Sequence, residues 1–143
     1  MFEKGITVIE LILVVAIIST LGILSASYYS KFLTQNAVSN LADQLVSSLR
    51  KAQIYSMTGK QNGVWGVKYN ELSNPKKITF YLTGNSAFDE NFNVNDNITV
   101  SGFTDISFDR ITGLPKSSGV PITSSVTITI IGENTTKRIT VNS

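Results

Sequence analysis

Apolar residues follow three successive patterns along this chain. In residues 11–30 no side chain is charged, and most positions are Leu, Ile, Val, Ala or Gly. At about 1.5 Å per residue, roughly 20 helical residues cross a bilayer core, so this run is long enough to span one. From Phe32 the apolar residues recur instead at three- and four-residue steps: Val38, Leu41, Leu45, Leu49 and Ala52 share one face of an α-helix. Gln35, Asn40, Asp43, Gln44, Ser47 and Lys51 lie largely off that stripe. No Pro or Gly falls between Phe32 and Gly59, so the spacing predicts one continuous helix from about Thr7 to Met57, stopped at Gly59. Its first half suits lipid. Its second half presents a stripe that needs a cover.

Beyond Gly59 the period shortens to two. Residues 64–69 have strand character, with Val67 and Tyr69 on one face. Ile78, Phe80 and Leu82 alternate with polar neighbours in residues 77–82 and are expected to face inward. Residues 98–100 and 106–108 read as short strands. Residues 126–130 show the cleanest alternation, and residues 137–141 return after a Gly132-Glu133-Asn134 turn, which predicts a C-terminal hairpin. Residues 70–76, with Pro75, are expected to turn. Residues 83–97 are expected to be a polar loop, and residues 111–121, with two glycines and two prolines, a long one. One long helix followed by short strands predicts an α+β class, the helix packed on an antiparallel sheet.

Glu10 stands immediately ahead of the apolar run. A carboxylate beside hydrocarbon is costly unless it is partnered, which marks it as a functional candidate. The simpler alternative is a headgroup-boundary residue favoured by the N-terminal helix dipole. The stretch Gly5-Ile6-Thr7-Val8-Ile9-Glu10, with Lys4 before it and the spanning run behind it, resembles the N-terminal motif of the type IV pilin family. That family includes the pseudopilins of type II secretion systems. Ile6 stands where Phe is usual, and the apolar segment lacks the proline common in major pilins. A looser resemblance to GspH/FimT-type minor pilins and pseudopilins rests on Leu49-Arg50-Lys51-Ala52, Ile106-Ser107-Phe108, the loop containing Gly113, and Arg138 in the last hairpin.

The resemblance implies a leader over residues 1–5, a transmembrane helix segment over 6–30, and a globular pilin-like domain over 31–143, helical to about 58 and β-rich from 63. Prepilin peptidase would cut between Gly5 and Ile6 and methylate the new amine of Ile6. Glu10, with Thr7, would serve filament assembly by neutralising that amine on an adjoining subunit. The implied partners are other pilin or pseudopilin subunits, prepilin peptidase, an inner-membrane assembly platform and membrane lipid. The implied location is a single pass of the cytoplasmic membrane with the C-terminal domain outside, and Lys4 agrees with that orientation. The rival is an ordinary secretory signal cleaved near Ser25-Ala26-Ser27. It is disfavoured because the apolar run is longer than a usual signal core and Glu10 would interrupt its start.

Composition removes several other classes. The 143 residues suit one modest domain besides the membrane segment. A net charge of +2 implies no polyanionic partner. With no Cys and no His, a disulfide framework is excluded and the commonest general base and metal ligand are missing. No nucleophile has a discernible base, so no catalytic residue, enzyme activity or cofactor is expected. Asp89, Glu90 and Asp96, in an amide-rich stretch, are candidate ligands of a weak calcium loop, since some pseudopilins bind calcium in a late loop. The stretch lacks EF-hand spacing, and an acidic surface loop is the commoner explanation, so no metal is expected. Lys137, Arg138, Lys116, Lys76 and Lys77 are the cations from which a DNA-binding edge would be built, the alternative being a DNA-uptake minor pilin. They are scattered along the sequence, whereas phosphate binding favours clusters. Trp65 is expected in the core or at its rim, and Tyr28 and Tyr29 suit a membrane interface belt.

Overall fold

The computed structural model of this chain describes residues 7–143. Helix α1 (Val8–Met57) comes first, then a single 3-10 turn (Lys60–Asn62) and strands β1 (Trp65–Asn70), β2 (Lys77–Leu82), β3 (Asn85–Asn93), β4 (Thr99–Ser101), β5 (Asp105–Phe108), β6 (Pro115–Ser117), β7 (Val120–Pro121), β8 (Val126–Gly132) and β9 (Thr135–Val141). The class is α+β. The chain divides into two compact units, one ending at Leu33 and one spanning Thr34–Ser143.

In the first unit, every side chain described from Thr7 to Ile23 and from Tyr28 to Leu33 is exposed. This part of α1 is long and apolar enough to cross a membrane. Two of its hydroxyls bond back to the helix. Ser19 Oγ donates to the Val15 carbonyl at 2.7 Å, and Thr20 Oγ1 to the Ile17 carbonyl at 2.8 Å. Polar groups satisfied within the segment are what a hydrocarbon environment requires.

In the second unit, the stripe Val38, Leu41, Leu45, Leu49 and Ala52 is buried throughout, as its spacing predicts. It shares one core with Trp65, Val67, Ile78, Phe80, Ile106 and Phe108 from one sheet and Val100, Ile128 and Ile130 from another. The expected inward set of β1 and β2 holds, since Val67, Tyr69, Ile78, Phe80 and Leu82 are all buried. The helix stops where expected: Gly59 takes a left-handed φ of 66°, and its amide donates to the Ser56 carbonyl at 3.1 Å. Ser56 then anchors the return. Its hydroxyl accepts from the Trp65 amide at 2.9 Å inside the core.

Two expectations are overturned and one is refined. Residues 83–97 are not a loop: β3 pairs antiparallel with β2 across residues 85 to 93, with an irregularity between Phe80 and Leu82. An edge strand with solvent on most of its surface has no need of alternating apolar side chains, and its ladder bonds come from the backbone. Residues 111–121 contain a small hairpin, β6–β7, on the far side of β5. Proline fits there because β7 is an edge strand and Pro115 lies at the start of β6. The single sheet resolves into two antiparallel ones, ordered β3-β2-β1-β5-β6-β7 and β4-β8-β9. The predicted C-terminal hairpin is β8–β9, longer at both ends of the turn than the alternation alone suggests.

Leu45 is only 1% exposed and sits centrally on the buried stripe. In a Thr34–Ser143 fragment, Leu45→Ala is expected to cost about 2–5 kcal/mol by leaving a cavity. Leu45→Asp is expected to abolish cooperative unfolding, because it buries an unpaired charge. Denaturant melts followed by circular dichroism measure both, and parental stability in the Asp variant would place the helix in a different phase.

Candidate functional site

The start of α1 is a reciprocal cap. Thr7 occupies the N-cap position and Glu10 the third helical position. The Thr7 amide donates to Glu10 Oε2 at 2.9 Å, and the Thr7 hydroxyl donates to the same oxygen at 2.8 Å. The Glu10 amide donates back to Thr7 Oγ1 at 3.3 Å. These are the bonds of a capping box, which satisfies backbone donors that a helix start otherwise leaves open. The Thr-x-x-Glu spacing is the sequence signature of this box, a local role that the reading of Glu10 as a headgroup-boundary or assembly residue did not use. Gly5 and Ile6, the expected cleavage and methylation positions, lie outside the described residues. Thr7, Val8, Ile9 and Glu10 are all exposed.

The acidic stretch does not gather. Glu90 stands opposite Phe80 across the β2–β3 ladder, so it shares the face that α1 covers. There it ion-pairs with Lys51 at 2.5 Å, and the Lys51 ammonium also lies 4.6 Å from the centre of the Phe80 ring. Asp89, one residue earlier on the strand, projects to the opposite face beside Lys68. Asp96 lies beyond the end of β3, exposed. Among the described residues no three His, Cys, Asp or Glu side chains cluster as metal ligands.

The cations are divided by the same periodicity. Lys137 stands opposite the buried Ile130, and Arg138 opposite Thr129, so the two neighbours occupy opposite faces of the small sheet. Lys116 is held at 2.7 Å by Asp109. Within the Leu49-Arg50-Lys51-Ala52 segment, Leu49 and Ala52 are core, Lys51 ties α1 to β3, and Arg50 is exposed. Lys60 lies 3.6 Å over the ring of Tyr55 and is the main cause that lowers the Tyr55 hydroxyl pKa from its ordinary value.

One organised group was missed by sequence reasoning, the loop after β5. Asp109 Oδ1 accepts from the amides of Ile111 at 3.0 Å and Thr112 at 3.2 Å, while Oδ2 takes the Lys116 ammonium. Gly113 has a φ of 67°, its amide donates to the Asp109 carbonyl at 3.0 Å, and its carbonyl accepts from Gln53 Nε2 at 3.1 Å. A Cβ at Gly113 would meet the Met57 sulfur at 2.5 Å, so both the backbone conformation and the space require glycine. The signal available in sequence was an Asp followed by Thr112-Gly113, the chemistry of an Asx-started turn.

The Lys116 ammonium, then the two backbone amides, hold the Asp109 carboxyl well below the usual carboxylate range. A depressed pKa adds stability that is present above the unfolded aspartate value of about 4 and is lost as pH falls through the folded value. Asp109→Asn is therefore expected to lower stability at pH 7, where the carboxylate's contribution is fully present, and to flatten the acid limb below about pH 4, so that the two profiles converge at low pH. Thermal unfolding of Thr34–Ser143 between pH 7 and 2 measures it. An unchanged acid limb would show that the ion pair is screened out. No protein-family model, no curated protein and no solved structure matches this chain.

Proposed function

We propose that this chain is a minor pilin or pseudopilin. It is made as a membrane-anchored precursor, cut by prepilin peptidase between Gly5 and Ile6, and assembled as a structural subunit into a type IV pilus or a type II secretion pseudopilus. The observation that carries the reading is Glu10: a carboxylate at the first turn of an exposed apolar helix long enough to cross a membrane, in a chain whose residues 34–143 pack the rest of that helix on antiparallel strands. The chain has no enzymatic role in this reading, and the peptidase acts on it. Its partners are neighbouring subunits, the peptidase, an inner-membrane assembly platform and lipid. The C-terminal unit lies outside the cytoplasm.

The physics of the proposed step is a pairing of two charges. Cleavage converts Ile6 into a free, then methylated, ammonium. An ammonium and a carboxylate moved out of water each cost several kcal/mol alone, and pairing recovers much of that cost. The amine of one subunit therefore finds its register against Glu10 of the next. Because Glu10 also caps its own helix, one substitution cannot separate the two roles. Glutamine preserves the capping geometry and removes the charge, whereas alanine removes both.

Two measurements test the reading. The mass of membrane-extracted mature protein is expected to correspond to a start at Ile6 with one added methyl, and a start near Tyr28 would replace the reading with secretion by signal peptidase. In sheared filaments, the processed fraction of both Glu10→Gln and Glu10→Ala is expected to fall strongly relative to wild type. Normal incorporation of Glu10→Gln with loss only in Glu10→Ala would reduce Glu10 to a helix cap.

A further inference from the structure

The two most exposed large apolar side chains of Thr34–Ser143 sit on turns of the same design. Leu72 is 98% exposed and Ile111 89%. Each is the third residue of an Asx-charge-apolar triplet. In Asn70-Glu71-Leu72, Asn70 Oδ1 accepts from the Leu72 amide at 3.1 Å. In Asp109-Arg110-Ile111, Asp109 Oδ1 accepts from the Ile111 amide at 3.0 Å. The central charges are opposite, and among the described residues neither Glu71 nor Arg110 has an ion-pair partner. Among the described residues, Arg110 donates only to the Asn62 side-chain oxygen.

The topology places these turns at opposite ends of the six-stranded sheet. Strands β1 and β5 are antiparallel, Gly66 facing Ser107 and Lys68 facing Asp105. The chain leaves β1 at one end into Glu71-Leu72, and leaves β5 at the other end into Arg110-Ile111. Both turns are tied down, the first by Ser73 Oγ donating to the Asn70 carbonyl at 2.9 Å, the second by Lys116 and Gln53. An exposed leucine or isoleucine alone is ordinary. Here there are two, each braced and each beside a charge with no ion-pair partner among the described residues, and the two charges are opposite in sign.

We infer that the Glu71-Leu72 turn of one copy docks on the Arg110-Ile111 turn of a second copy of this chain, the apolar tips in contact and the two charges paired. The halves lie at opposite ends of one sheet, so the contact is head-to-tail and leaves a free half at each end. Such heterologous contacts propagate into open filaments rather than closed dimers. The paired charges set register and exclude the two like-with-like arrangements. The inference rests on the assembly reading above and adds the surfaces by which successive C-terminal units meet.

The chain has no cysteine, so introduced thiols are unique. Full-length protein carrying both Leu72→Cys and Ile111→Cys, oxidised in the membrane, is expected to give a ladder of disulfide-linked dimers, trimers and longer species. Each single variant is expected to stay monomeric, and a homodimer from either would mean a twofold contact and overturn the inference. In the double-cysteine background, Glu71→Arg or Arg110→Glu alone is expected to remove most of the ladder, and the two together to restore it. Restoration also shows that the reversed chains fold. A thiol adduct to a different protein in place of the ladder overturns the second copy as occupant. If an amine-reactive crosslinker shows self-association and the thiol ladder is absent, the head-to-tail contact fails and the assembly reading stands. If neither reagent links copies, the contact fails, and absence of the chain from sheared filaments then separately decides the assembly reading.

Discussion

Burial of a single helical stripe holds residues 34–143 together. The two sheets have no strand in common, and the chain crosses between them three times, leaving the larger sheet after β3, returning to it at β5 and leaving it again after β7. What unites them is the core in which Val38, Leu41, Leu45, Leu49 and Ala52 meet the inward residues of both. A three-stranded sheet of three-, seven- and seven-residue strands is marginal without a partner for its apolar face. The helix supplies that partner. Ser56 and Trp65 fix where the helix hands over to the first strand, and Lys51 with Glu90 fixes its flank against the edge strand β3. Surface ion pairs of this kind contribute little to stability, about 0–1 kcal/mol, so the second contact orients rather than holds.

Much of this was legible because burial imposes period. The helical stripe and the inward faces of β1, β2 and β8 all had to alternate, and they do. Strand β3 was illegible for the same physical reason: Asn85, Ser86, Ala87 and Asn91 are exposed on an edge, where no side chain needs to be apolar. Pairing was also beyond the pattern. Val100 reads as a strand residue, but nothing in residues 98–100 says that its partner is Ile130 rather than the sequence neighbour β5. The candidate acids show how a strand defeats a sequence cluster, since Asp89 and Glu90 are adjacent in the chain and lie on opposite faces of a sheet. The Asp109 loop was hidden because its structure comes from one side chain bonding two amides and an ammonium, which leaves no hydrophobic signature.

The helix start joins local structure to the proposed assembly. A capping box and an intermolecular ion pair look like rival uses of one carboxylate. The geometry makes them compatible, because both Thr7 donors converge on Oε2 and, among the described residues, no hydrogen bond falls on Oε1. An ionised carboxylate offers roughly four lone-pair sites, so a further donor has somewhere to bind without displacing the cap. The cap in turn fixes the rotamer of Glu10, which lowers the entropy lost when an ammonium arrives. Within the proposed reading, Thr7 is then a positioning residue: it holds the carboxylate at the helix start in the orientation its neighbour's amine meets. Hydrogen bonds to a charged group each contribute about 1.5–3 kcal/mol net, whereas an unpaired charge in a low-dielectric setting costs several. Within the proposed reading, the balance between the two uses therefore shifts toward the ion pair as the helix start leaves water, which would favour assembly in the membrane over association in solution.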